Sequence, residues 1–63
     1  MNVAKLHGVI AERGKTQREV AQAIGVTEKT FYAKMKKGDF YIGEAEKMIE
    51  FLQIADPREI FFN

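Results

Sequence analysis

The chain predicts an all-α fold, a compact bundle of four to five helices, and three observations predict it. Apolar residues recur at three- and four-residue spacing along most of the 63 residues, the period of helices that bury one face. Helix-start and helix-stop residues punctuate that pattern: Asn2, Thr16 and Thr27 precede apolar-periodic stretches, and Gly14, Gly25 and Gly38 follow them. No segment reads clearly as a strand, and there is no repeat, linker or low-complexity tract.

Asn2 is a suitable N-cap for a first helix running to about Arg13, with Val3, Leu6, Val9 and Ile10 on its apolar stripe. Thr16 caps a second helix. Glu19, three residues on, completes a capping box worth about 1 kcal/mol. Val20, Ala21 and Ile24 face inward until Gly25 stops the helix. Thr27 caps a third helix whose inward positions are Phe31 and Met35, and Lys36 and Lys37 place positive charge at its C-terminal end, where the helix dipole favours it. Residues 39–43 form a connection with Phe40 and Ile42 as buried anchors. A fourth helix is expected over about 44–53, with Ala45, Met48, Ile49 and Leu52 on its core side. Asp56, Pro57 and Glu59 announce a last short helical turn, since proline suits the first helical position. Of the adjacent Phe61 and Phe62, one can close the core; the other is left for a dimer contact or for further cover of a small core.

Sixty-three residues allow one domain, 1–63, and no second core. With no cysteine there is no disulfide scaffold, zinc finger or thiol nucleophile. The lone His7 has no metal-ligating neighbour at ligand spacing, so neither metal nor cofactor is expected, and Phe31, Phe40, Phe51, Met35 and Met48 read as packing. One histidine and no paired-carboxylate or Ser-His constellation argue against an enzyme. No apolar run approaches the roughly 20 residues a membrane helix needs, and no signal peptide opens the chain. A cytoplasmic protein that makes no membrane contact is the expectation.

The net charge is only +1, but its distribution is uneven. Residues 13–37 hold seven basic side chains (Arg13, Lys15, Arg18, Lys29, Lys34, Lys36, Lys37) against Glu19 and Glu28, a net of +5. The rest carries three basic against seven acidic, a net of −4. One face can therefore be strongly positive on a nearly neutral molecule.

That basic stretch coincides with the most informative segment, TQREVAQAIGVTEKTFYAKM at residues 16–35. Ala21 is small enough for two helices to cross closely, and Gly25 tolerates the positive φ of an immediate reversal into the next helix. This is a helix-turn-helix layout over about 16–37, whose second helix can enter the major groove of DNA.

QREVAQAIGVTEKTF, residues 17–31, resembles the helix-turn-helix of lambdoid phage Cro proteins and repressors. The tail GDFYIGEAEKMIEFLQIADPREIFF looks like the closing segment of small Cro-like repressors from phages of Gram-positive bacteria, so the resemblance covers nearly the whole chain. It implies a lambda repressor-like DNA-binding domain in which Gln17 contacts a phosphate and Thr27, Glu28, Lys29 and Tyr32 read base edges. By their own chemistry, lysine suits the acceptors of guanine, glutamate the amine of cytosine, and threonine either its hydroxyl or its methyl. Lys15, Arg18, Lys34, Lys36 and Lys37 are the further candidates for phosphate contact. Lys34 departs from the family, which places an aliphatic residue there; Met35 can take the core position while the lysine stem lies over the core.

The expectation is a sequence-specific regulator of phage repressor or Cro type that occludes a promoter. Its partner would be a double-stranded DNA operator with inverted half-sites, bound as a homodimer in a bacterial cytoplasm or nucleoid. An antitoxin or an accessory recombination factor would use the same scaffold, and a protein-binding adaptor that lost DNA binding is the reading from a different class.

Overall fold

The computed structural model describes residues 1–62, all of whose regular elements are helical: α1 (Val3–Glu12), α2 (Gln17–Ile24), α3 (Glu28–Lys37), α4 (Ile42–Leu52) and α5 (Arg58–Phe61). The Cα envelope measures 26 × 23 × 19 Å.

Each boundary has a local cause. The Asn2 side chain accepts the Lys5 N–H at 3.0 Å and starts α1. The α2 capping box forms in full: Thr16 Oγ1 accepts the Glu19 N–H (3.1 Å), and Glu19 Oε1 accepts the Thr16 N–H (2.9 Å). Gly25 ends α2 at φ +81°, which lets Val26 N–H reach back to the Ala21 carbonyl at 3.0 Å. Two residues later Thr27 accepts the Thr30 N–H and begins α3. A β-carbon at Gly25 would meet no neighbouring atom, so the positive φ is what requires glycine there.

α2 is the hub, packing against both α3 and α4, while α5 closes over α1. The core gathers Leu6 and Ile10 of α1, Val20, Ala21 and Ile24 of α2, Phe31 and Met35 of α3, Met48 and Leu52 of α4, and Ile60 of α5. Each large member stabilises the fold by about 1.5–3 kcal/mol through burial. Ala21 is almost fully buried between the helices, where added methylenes would cost about 1–3 kcal/mol in strain.

The second half departs from the sequence reading at three points. α4 begins at Ile42, two residues early, because the Glu44 carboxylate accepts the Tyr41 N–H (2.9 Å) from the third helical position. Ile42 is consequently no anchor. It lies on the first turn and is 71% exposed. Phe40 alone anchors the connection, its ring 5.6 Å from that of Phe31. Ile49 sits half-buried at the margin of the core rather than on its central stripe. The two terminal aromatics divide their roles, with Phe61 packed on the core and Phe62 60% exposed.

Candidate nucleic-acid interface

α3 buries Phe31 and Met35 and turns the opposite side outward, since residues one turn apart share a face. Glu28, Lys29, Tyr32, Ala33, Lys36 and Lys37 are all exposed on it, and Thr27 is exposed at its start. The four base-reading candidates thus stand at one end of one helix face. Ala33 was missed by the sequence reading. It lies one turn beyond Lys29, and an outward alanine signals only that something could approach the helix closely there.

Two shallow clefts flank the helix. On one side Gln17, Tyr32 and Lys36 line a cleft with Val3, His7 and Met35, so the start of α2 stands beside the outward face of α3. On the other side Lys37 borders a cleft with Thr30, Ala33, Lys34 and Asp39. The capping box satisfies the Thr16 and Glu19 N–H groups, which leaves those of Gln17 and Arg18 as the unpaired donors of the first turn of α2. Such donors, with the positive end of the helix dipole, suit a phosphate oxygen.

The cations separate into two kinds. Among the described residues, Arg18, Lys29, Lys36 and Lys37 enter no ion pair. The other basic residues of the 13–37 stretch are engaged within the subunit. Arg13 donates from Nε to the Leu52 carbonyl (2.8 Å) and from Nη2 to the Gln53 carbonyl (3.1 Å), closing the C-terminal end of α4. Lys15 lies over the Phe51 ring, its ammonium 5.2 Å from the centroid. Lys34, proposed from sequence as a phosphate contact, pairs with Glu44 at 3.2 Å and caps the Tyr41 ring at 4.1 Å. Its side chain is only 19% exposed. The side chain is largely covered, and its ammonium is committed to Glu44 of α4 and the Tyr41 ring at its start.

Hydrogen bonds also order the start of α3. The Tyr32 hydroxyl donates to Glu28 Oε2 at 2.9 Å. That bond, with burial and the nearby carboxylate charge, raises the phenol's pKa above its ordinary value, so the proton stays on the tyrosine. The Thr27 hydroxyl donates to Thr30 Oγ1 (3.0 Å) while accepting the Thr30 N–H (3.2 Å).

Elsewhere on the surface, Asn2, Lys5, Asp56, Arg58, Glu59 and Phe62 line an open depression. Its charges are paired, Lys5 with Glu59 and Arg58 with Asp56. Among the described residues no three metal-ligating side chains converge, and no helix is long and apolar enough to cross a membrane. Searches of family models, curated proteins and solved structures find no match to this chain.

Proposed function

We propose that the chain is a sequence-specific double-stranded DNA-binding regulator of the phage repressor or Cro type, which blocks a promoter by laying α3 in the major groove. One observation carries this reading. The face of α3 opposite the core is open to solvent, and it combines side chains suited to base edges with cations that enter no ion pair among the described residues. The N-terminal end of such a helix meets base edges, which puts Thr27, Glu28, Lys29 and Tyr32 at the bases. Gln17 and Arg18 meet phosphate at the start of α2; Lys36 and Lys37 do so near the end of α3. Lys15 keeps a peripheral phosphate role, and Lys34 is reassigned to holding α3 on α4.

One such module reads only a few base pairs, so two copies on inverted half-sites, with recognition helices about 34 Å apart, would supply the missing affinity. The exposed Ile42 and Phe62, which border one cleft with Met1, Phe40 and Phe61, are the surface proposed for that pairing. The charges beside Phe62 are neutralised within the subunit, so two copies would meet there without like-charge repulsion.

The test is a gel-shift titration over a range of salt. Four phosphates neutralised per subunit predict a log–log slope of about −3 to −4, doubled for a bound pair. Binding insensitive to salt, or no binding to any duplex at low salt, would refute the proposal.

A further inference from the structure

We infer that Glu28 and Tyr32 act as a single acceptor-only unit that selects cytosine at one position of each half-site, with Tyr32 as a positioning residue for the Glu28 carboxylate. The inference rests on the DNA-binding reading above and deepens it, by naming the base chemistry that the start of α3 can accept.

The local hydrogen bonds dictate the chemistry on offer. A phenol normally presents one donor and two acceptor lone pairs. In this chain the Tyr32 proton is spent on Glu28 Oε2 at 2.9 Å, so the phenol oxygen turns only lone pairs outward. The ionised carboxylate has no donor at all. Thr27, the neighbouring hydroxyl, has also spent its proton, on Thr30 Oγ1. The side chains of Thr27, Glu28 and Tyr32 therefore turn acceptors outward, and the next residue after Glu28, Lys29, carries a charged donor.

Both members of the pair are held. Four-residue spacing puts them one above the other on the helix face, and the Tyr32 ring packs edge-on against the buried Phe31, their centroids 6.5 Å apart. No cation neutralises Glu28 among the described residues. A bare carboxylate facing a polyanion is repelled unless a base donor meets it, so this position penalises the wrong sequence as well as favouring the right one.

In the major groove cytosine alone presents a donor without an acceptor of its own. Adenine sets its N6 amine beside the N7 lone pair, guanine shows two acceptors, and thymine shows O4 and a methyl group. An acceptor-only unit ranks them accordingly: cytosine first, adenine second, guanine and thymine rejected. Lys29, pointing about 100° around the helix from Glu28, remains available for a guanine in the neighbouring base pair.

The experiment selects bound duplexes from a pool of randomised DNA, using the wild-type chain and the variants Tyr32→Phe, Glu28→Gln, Glu28→Ala and Glu28→Ala/Tyr32→Phe. Affinities for duplexes differing at the selected base are then measured. Every substituted side chain is exposed, and thermal melting verifies that the variants fold. Wild type should prefer cytosine over guanine or thymine at one position by roughly tenfold or more. Tyr32→Phe should lower affinity for the cytosine site toward that of the guanine and thymine sites, so that most of the discrimination at that position alone is lost. The loss should vanish in the Glu28→Ala background, because the tyrosine acts through the carboxylate. Glu28→Gln should shift the preference to adenine, whose N6 and N7 match an amide.

A uniform loss on all sequences for Tyr32→Phe, persisting without Glu28, would make Tyr32 a direct backbone contact and overturn the inference. An unchanged base preference in Glu28→Ala would also overturn it while leaving the DNA-binding reading intact. Failure of the wild type to select any duplex would sink both together.

Discussion

Replacing Lys34 by methionine separates the role the structure gives this lysine from the role its charge suggests. The ammonium lies 3.2 Å from Glu44 Oε1 and 4.1 Å from the Tyr41 centroid, and the two charged side chains are 19% and 13% exposed. At an effective dielectric constant near 20 the Coulomb attraction is about 5 kcal/mol. Desolvating the two groups cancels a large part of it. The ring contact adds about 1 kcal/mol. Lys34→Met would leave Glu44 without its cation, though still accepting the Tyr41 N–H near the positive end of the α4 dipole. The expected net loss is about 2 kcal/mol, below the 3–5 kcal/mol of a fully buried broken pair. For a domain of this size that lowers Tm by about 8–16 °C. Lys34→Met/Glu44→Gln removes the stranded charge and keeps the cap, so it should recover to within about 0.5 kcal/mol of wild type. Thermal and urea unfolding followed by circular dichroism measure both. A single variant as stable as wild type, or a double variant no better than the single, would refute the reasoning. The salt slope of DNA binding should be unchanged by Lys34→Met, whereas Lys36→Ala should flatten it by about 0.9 per bound subunit.

Three further outcomes follow from the same geometry. Arg13→Ala removes both donors to the Leu52 and Gln53 carbonyls and should cost about 1–2 kcal/mol in urea unfolding, with little change in DNA affinity. Gln53 ends α4 at φ +53°, so Gln53→Gly should stabilise by up to about 1 kcal/mol, seen as a rise in Tm. The Thr16 backbone N–H, and then its hydroxyl, hold the Glu19 carboxyl below its ordinary value of 4.5. A lowered folded pKa means the stabilisation is complete above that ordinary value and is lost as pH falls through the folded one. Acid unfolding of Glu19→Gln should therefore show a shallower pH dependence than wild type below about pH 4.5.

The first three helices were legible because their signals are local. Thr16 with Glu19 and Thr27 with Thr30 act across three residues, and Gly25 needs only its own backbone, so the chain spells them out in order. Ile42 misled because an apolar residue after Phe40 reads as a second anchor. Its exposure follows from Glu44 capping back to Tyr41, which moves the start of α4 forward and rotates Ile42 outward. Arg13 could not be placed from sequence, since its partners lie 39 and 40 residues away. It was counted with the basic stretch although it closes α4. Lys34 was recognised as an irregularity, but its attachment to Glu44 depends on how α3 meets α4, which no spacing rule contains. The site was legible as a face and not as a network: Glu28 and Tyr32 were each named, but the bond between them needed atomic positions.

Amide chemical-shift mapping of the labelled protein during titration with a short DNA duplex at low salt tests the central claim most directly. Shifts should concentrate at Gln17, Arg18, residues 27–33, Lys36 and Lys37, with the Lys5, Asp56 and Glu59 region unmoved until two copies pair. Shifts confined to the Lys5, Asp56 and Glu59 region, or none at all at low salt, would contradict that placement.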